Sequence, residues 1–374
     1  MGSAFAVPVR TRGMGVTMRI GIIAPPWLPV PPLAYGGTEA VLDNLARGLK
    51  AAGHDVLLFT TGDSSCDVPR AWTYERSLGV GFPGAVAELR HVIAAYAQMA
   101  EVDIVHDHTL AGPIYSAWFP KLPVVTTNHG PFVIELADIY RAMAPRVPVI
   151  AISHHQASTA GDIPIAAVIH HGIAVDEFPL GAGQGGYALF LGRLHPSKGA
   201  HVAARVARAG GIPLRIAGKL SEPVEIEYFV EQVKPLLGND IEYVGELSHE
   251  DKLSALADAA CLLNPIQWPE PFGMVMVEAL ACGSPVITTR QGAAPEIVKE
   301  GIGGFVCDDE ESLIAGIRRI GEIDRVGCRA FVDAHFSVAR MVQRHLAFYE
   351  RVIGEAAKPA LHLLAGGGGG ADER

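Results

Sequence analysis

The sequence predicts an α/β protein made of two Rossmann-like domains that face each other across a cleft. Three observations predict it. Short runs of aliphatic and β-branched residues alternate with amphipathic segments of helix length along nearly all of the 374 residues, the pattern of parallel sheets covered by helices on both faces. A Gly- and Pro-rich stretch at residues 179–186 interrupts that alternation midway and leads at once into a new strand. The length is about two and a half times the roughly 150 residues of an ordinary domain.

In the first half, strands are expected at residues 19–24, 55–61, 103–106, 124–128, 149–152 and 167–170. The clearest helix is 38–52, where Val41, Leu42, Leu45 and Leu49 share one face and Gly53 stands where a helix C-terminus favours glycine. In the second half, strands are expected at 187–191, 214–217, 242–244, 261–264, 286–289 and 304–306, each followed by a helix candidate. The expected organisation is an N-terminal extension at 1–17, a first Rossmann-like domain at 18–180, a second at 181–336, a helix at 337–356 crossing back onto the first, and a disordered tail at 357–374 with five consecutive glycines, Gly366 to Gly370. Open α/β sheets place ligands at the carboxyl ends of their strands, so the active site is expected between the two halves.

Composition narrows the function. Hydrophobic residues are 49% and charged residues 19% of the chain, which excludes a wholly disordered protein. Thirty Lys and Arg against 40 Asp and Glu give a net charge of -10, with no basic run, so nucleic acid is not an expected partner. Cys66, Cys261, Cys282, Cys307 and Cys328 form no C-x-x-C pair and are read as reduced thiols in a cytoplasmic protein. No apolar run approaches the roughly 18 residues of a membrane span, and the N-terminus lacks the positive-then-apolar order of a signal peptide.

The strongest chemical signal is Glu270-Pro-Phe-Gly-Met-Val-Met-Val-Glu278, continued by Ala-Leu-Ala-Cys-Gly-Ser-Pro285. Pro271 and Gly273 make a turn, and Met274 to Ala281 reads as a helix whose free N–H groups point into the cleft, toward oxygen-rich or anionic groups. Glu278 is placed to accept hydrogen bonds from vicinal hydroxyls such as those of a ribose. The second signal is Gly192-Arg193-Leu-His195-Pro-Ser-Lys198-Gly199, a strand end carrying two cations five residues apart, suited to clamping a diphosphate. A third is Gly36-Gly37, between the first strand and the first helix, where missing side chains let backbone N–H groups approach a phosphate. Pro25-Pro26 and Pro29 to Pro32 stiffen the same loop.

Together with Tyr35 to Glu39, His171-Gly172-Ile173 with Asp176 and Phe178, and Val244-Gly245, these residues resemble the retaining glycosyltransferases of family 4, which have the two-domain GT-B fold, over residues 18–353. The resemblance implies a nucleotide-diphosphate sugar donor, held mainly by the second domain, and an acceptor, not identified by the sequence, held mainly by the first. It implies that Glu278 binds the ribose, that Glu270 meets hydroxyls of the donor sugar, that the backbone of Phe272, Gly273, Met274 and Val275 supports sugar and phosphates, and that Arg193 and Lys198 neutralise the leaving diphosphate. Loops at Lys219 and at Gly245 to Leu247 would cradle the base, and His129 would be an active-site histidine bonding the donor sugar. The anomeric configuration would be retained, with the leaving phosphate helping to deprotonate the acceptor.

UDP-glucose is the first donor expected and GDP-mannose the second. No cofactor is expected. His106-Asp107-His108 invites a metal, since an i, i+2 pair on a strand shares one face, but the pattern lacks a third ligand and the family normally works without one. His108 and Ser153 are assigned to the acceptor side instead. Two departures from the family stand out: many relatives carry asparagine at the position of His171, and Gln291-Gly292-Ala293-Ala294-Pro295-Glu296 replaces a double-glycine turn.

The rivals are weaker. An NAD-dependent oxidoreductase needs a G-x-G-x-x-G after the first strand with an acidic residue about 20 positions on, which is missing. A glycosidase needs carboxyls opposed across the scissile bond, whereas Glu270 and Glu278 share one turn-helix unit. A nucleotide-sugar epimerase would isomerise the donor without transfer, and a non-catalytic binder would hold it without releasing diphosphate. The helix candidate at 82–100 offers only Arg90 and His91 as cations for a membrane surface, so a soluble acceptor is preferred, with peripheral membrane contact left open. Oligomeric state is not legible.

Overall fold

The computed structural model describes residues 17–33, 36–79 and 84–357. Almost all of the extension and tail expected at 1–17 and 357–374, Tyr35, and the first residues of the helix expected at 82–100 lie outside the described residues.

The first sheet has seven parallel strands: β1 (Arg19–Ile23), β2 (Asp55–Thr60), β3 (Arg70–Trp72), β4 (Ile104–Asp107), β5 (Val124–Thr127), β6 (Val149–Ala151) and β7 (Ile165–Val168), in the order β3-β2-β1-β4-β5-β6-β7. The second has six: β8 (Ala188–Leu191), β9 (Leu214–Ala217), β10 (Ile241–Gly245), β11 (Cys261–Asn264), β12 (Val286–Thr289) and β13 (Gly304–Cys307), in the order β10-β9-β8-β11-β12-β13. Strand order reverses between β1 and β4 in one sheet and between β8 and β11 in the other, and such switch points open a crevice at the strand carboxyl ends. The strands are near-continuous aliphatic runs because helices cover both faces; Ile20, Ile22 and Ile23 of β1 and all of β4 are buried.

Helix 37–51 (Gly37–Ala51) buries Val41, Leu42, Leu45 and Leu49 against the first sheet and ends before Gly53, whose φ of 89° lets the chain reverse into β2. Strand β3 was not expected from the sequence: Arg70-Ala-Trp72 is a half-exposed edge strand too short to show alternation. Among the described residues no helix is long and apolar enough to cross a membrane.

The Gly- and Pro-rich stretch at 179–186 is pinned to the second domain. Gly181 N–H donates to the Cys282 carbonyl at 3.0 Å and Gly185 N–H to Asp258 at 2.9 Å, and a Cβ at Gly181 would collide with the Ala257 carbonyl. The glycines here permit close approach of two backbones rather than freedom. Arg325 fixes the same segment by donating to the carbonyls of Gly181 (2.7 Å), Ala257 (2.9 Å) and Ala259 (3.0 Å). Ile173, Val175 and Phe178 pack into the second domain's core.

After helix Arg325–Phe336, the 19-residue helix Val338–Ala356 returns to the first domain, where Met341, Val342, Phe348, Tyr349 and Val352 join the core beside helix 37–51. Its start is tied to the linker, with Ile173 N–H on the Phe336 carbonyl (2.9 Å) and Val338 N–H on the Ile173 carbonyl (3.0 Å).

Candidate functional site

Because β8 and β11 are neighbours at a switch point, their carboxyl-terminal loops lie side by side. Gln267 N–H donates to the Ser197 carbonyl at 2.8 Å, and Gly199, at φ 76°, passes so near Pro265 that a Cβ would strike its carbonyl oxygen. This contact carries Lys198 to Glu270, with Nζ to Oε1 at 2.6 Å, and places the ammonium 5.6 Å from the centre of the Trp268 ring. The turn after β12 holds the other side of Glu270: Ala293 N–H donates to its carbonyl at 2.9 Å, and Gly292, at φ 56°, leaves no room for a Cβ against that backbone. The altered turn at 291–296 therefore keeps the one glycine that the packing requires.

Gly273, at φ 97°, starts the helix Met274–Ala281. Its first turn and Glu278 face a cavity of about 490 Å³ between the domains, lined by Gly36, Gly37, Asn44 and Arg47 on one side and by Gly192, Arg193, Lys219, Leu247, His249, Lys252, Met274 and Val275 on the other. Lys252 Nζ donates to Glu278 Oε1 at 2.9 Å. Arg193 NH1 stands 3.7 Å from Glu225 Oε1, while Glu225 Oε2 accepts from the N–H groups of Ser221 (3.0 Å) and Glu222 (3.1 Å). Burial works to raise the Glu225 pKa, but these backbone donors, with Arg193 and Lys219, hold the carboxyl below its usual value. Glu225 Oε1 and Arg193 Nε are buried without a hydrogen-bond partner among the described residues.

On the opposite sheet, His129 follows β5. Its Nε2 pairs with His108 Nδ1 at 2.8 Å, and its ring stacks on His171 with centroids 5.2 Å apart. His171 in turn meets the edge of Phe272 at 4.9 Å, so a line of rings joins His129 to the Glu270 turn. Burial, then the neighbouring His345, pushes the His129 pKa down to about 4. Both members of the pair are thus neutral at pH 7, and one must donate to the other. The remaining ring nitrogens, His108 Nε2 and His129 Nδ1, are buried and lack partners among the described residues, and the shared proton makes one of them a donor and the other an acceptor.

Of the residues singled out in the sequence, Gly36, Gly37, Arg193, Leu247, Met274, Val275 and Glu278 line the cavity. Lys198, Glu270 and Gly273 are not among its lining; Lys198 and Glu270 pair on the loops after β8 and β11, and Gly273 directly precedes the lining residue Met274. Gly245 stands one layer behind, its carbonyl accepting from the cavity residue Gly218 at 2.9 Å. The Phe272 side chain is buried among His170, His171 and Phe336. Of the two residues assigned to the acceptor side, His108 is buried and pairs with His129, and Ser153, fully buried, caps helix His154–Ser158 by accepting from Gln156 N–H at 2.9 Å.

The His106-Asp107-His108 strand faces divide as expected, with the two imidazoles side by side, centroids 3.9 Å apart and planes tilted by 38°. His106 spends both nitrogens, on Tyr349 Oη and on Thr127 Oγ1, each at 2.7 Å. Asp107, on the other face, accepts from Tyr96 Oη (2.9 Å) and Thr109 N–H (2.8 Å), and burial raises its pKa to about 7. Lys252, Glu225, Arg47 and His249 were not found from the sequence. Only Ser248-x-x-Asp251, a helix-start signature whose serine does cap helix His249–Asp258, marked the neighbourhood of Lys252.

Comparison with known proteins agrees with this architecture. The family described as Glycosyltransferase Family 4 matches residues 35–177, and the one described as Glycosyl transferases group 1 matches 176–325. A phosphatidyl-myo-inositol mannosyltransferase of Mycolicibacterium smegmatis is 26% identical over 343 residues, covering 83% of this chain and 86% of that protein. A D-inositol 3-phosphate glycosyltransferase of Mycobacterium tuberculosis is 27% identical, covering 86% of this chain and 80% of the other. Among solved structures, AviGT4, a glycosyltransferase involved in avilamycin A biosynthesis, superposes with a TM-score of 0.70 at 26% identity over 90% of this chain and 98% of its own. HepE of Anabaena, solved with UDP and glucose, gives 0.71 at 18% identity over 89% of this chain and 100% of its own, a likeness of fold. The two matches meet at the linker between the sheets, and the chain belongs to the family 4 glycosyltransferases with the GT-B fold.

Proposed function

We propose that the protein transfers a hexosyl group, with retention of anomeric configuration and without a metal ion, from a nucleoside-diphosphate sugar to an acceptor hydroxyl. The observation that carries this reading is that the loops of one switch point hold both the Lys198–Glu270 pair and Arg193, which lines the interdomain cavity with Gly36 and Gly37. The bond from the anomeric carbon to the phosphate oxygen breaks and one to the acceptor oxygen forms. The acceptor proton goes to the departing phosphate. Negative charge builds on the diphosphate, and Lys198 and Arg193 are preorganised to meet it. Lys198, moving onto the phosphate, would free Glu270 for the donor sugar's hydroxyls. Glu278 would accept from the ribose, and neutral His129 would bond the sugar without adding charge.

UDP-glucose stands as the first donor. The mannosyltransferase name of the M. smegmatis relative favours GDP-mannose as the second reading. Both mycobacterial relatives are named for inositol-bearing acceptors, which makes inositol phosphates the first acceptors to assay. The five buried free thiols support a reducing, cytoplasmic setting. The test is incubation with each nucleotide sugar and an inositol phosphate, reading nucleoside diphosphate by chromatography and the product's anomeric configuration by NMR. Retained configuration is expected. An inverted product would refute the mechanism, and no diphosphate from any nucleotide sugar would refute the activity.

A further inference from the structure

We propose that His154, His170 and Glu296 form a binding site for a divalent transition-metal ion of the zinc class, which fastens the two domains together beside the cleft. The three come from separate places. His154 opens the short helix after β6, His170 lies just past β7, and Glu296 belongs to the turn after β12 in the other domain. One ligand atom from each lies within 4.8 Å of the other two. His170 Nε2 and Glu296 Oε2 share a hydrogen bond of 2.9 Å, whose proton a metal ion would displace to solvent. Two ligands each about 2.0–2.2 Å from one ion, at right or tetrahedral angles, are separated by about 2.9–3.5 Å, so this pair has the required spacing already.

The carboxylate is also oriented by the chain that supplies the third ligand. Glu296 Oε2 accepts from His154 N–H at 2.8 Å and Oε1 from His155 N–H at 2.6 Å, an outer shell of the kind that fixes metal ligands. The His154 ring is exposed and stands edge-on to His170 with centroids 5.7 Å apart, a ring nitrogen within 4.8 Å of the other two ligand atoms. Its exposed side leaves a position for water. Two imidazoles and one carboxylate suit zinc, nickel or copper and disfavour magnesium and calcium. Among the described residues, no other group of three His, Cys, Asp or Glu side chains brings its ligand atoms this close together.

Since the ligands come from both domains, the ion binds only their present arrangement and favours it by differential affinity. The site is separate from the transfer chemistry, and its test needs no substrate. Full-length protein, dialysed against chelator, is titrated calorimetrically with zinc sulfate, with magnesium sulfate as control. One equivalent of zinc at micromolar affinity or tighter is expected, with none for magnesium. His154→Ala and His170→Gln should each weaken binding at least 10-fold, and the double variant should lose both the binding and the zinc-dependent rise in Tm that the wild type shows. Circular dichroism checks that the variants fold. Unchanged stoichiometry and affinity in the folded double variant, or no zinc binding by the wild type, would overturn the proposal.

Discussion

Three cations of the site already stand beside a carboxylate before any ligand arrives: Lys198 with Glu270, Lys252 with Glu278, Arg193 near Glu225. A cation held by a carboxylate beside a polar cleft is oriented without being neutralised for good, and a phosphate can displace its partner. Glu278→Gln should therefore weaken donor binding by about 10-fold, the size expected from one hydrogen bond to a charged group, and leave kcat nearly unchanged; steady-state kinetics in donor concentration read this. His129 makes a second prediction. With its pKa held near 4 by burial, it does not titrate between pH 5 and 8, so kcat/KM should show no inflection near 6.5 that His129→Ala abolishes. The residues that sequence reasoning found are those fixed by local motifs. Lys252, Glu225 and Glu296 escaped it because their roles come from partners 26, 32 and up to 142 positions away.

At the scale of elements, the motifs were legible because turn chemistry and helix start coincide in sequence. Helix Met274–Ala281 has the bounds that the Glu270 motif predicts, and 12 of 13 strands were placed within about two residues because buried parallel strands are aliphatic runs. Strand β3 lacked that signal. The glycines at 199 and 292 join the loops into one unit, and this is not visible locally, since each answers to a backbone far away in the sequence. Gly292→Ala imposes a side chain on φ 56° and against Glu270, so a loss of about 1–3 kcal/mol is expected, seen as a lower urea midpoint, together with slower turnover because Glu270 shifts. An unchanged midpoint would show that the turn accommodates the side chain.

The whole molecule depends on a linker that Arg325, at the start of helix Arg325–Phe336, holds and on a helix that spans back. Gly48 packs where Val338 and Val342 cross it; a Cβ there would lie 2.5 Å from Val338. Six buried histidines, His91, His106, His108, His129, His171 and His345, have pKa values lowered by burial, to about 4 for His91, His129 and His345. Below about pH 6.5 the unfolded chain binds protons that the folded one refuses, so stability falls as pH drops from 6.5 toward 4. Asp107, raised to about 7, and Glu39 and Glu88, also raised by burial, act in the opposite sense and are outnumbered. Urea unfolding at pH 7.5 and 5 should show the lower midpoint at pH 5.

The central claim is that this cleft neutralises a departing diphosphate, and Lys198→Ala tests it most directly. Nucleoside diphosphate release from the preferred nucleotide sugar, measured beside wild type with folding checked by circular dichroism, should fall by roughly 10²- to 10³-fold. A folded variant that releases diphosphate at the wild-type rate would contradict the account.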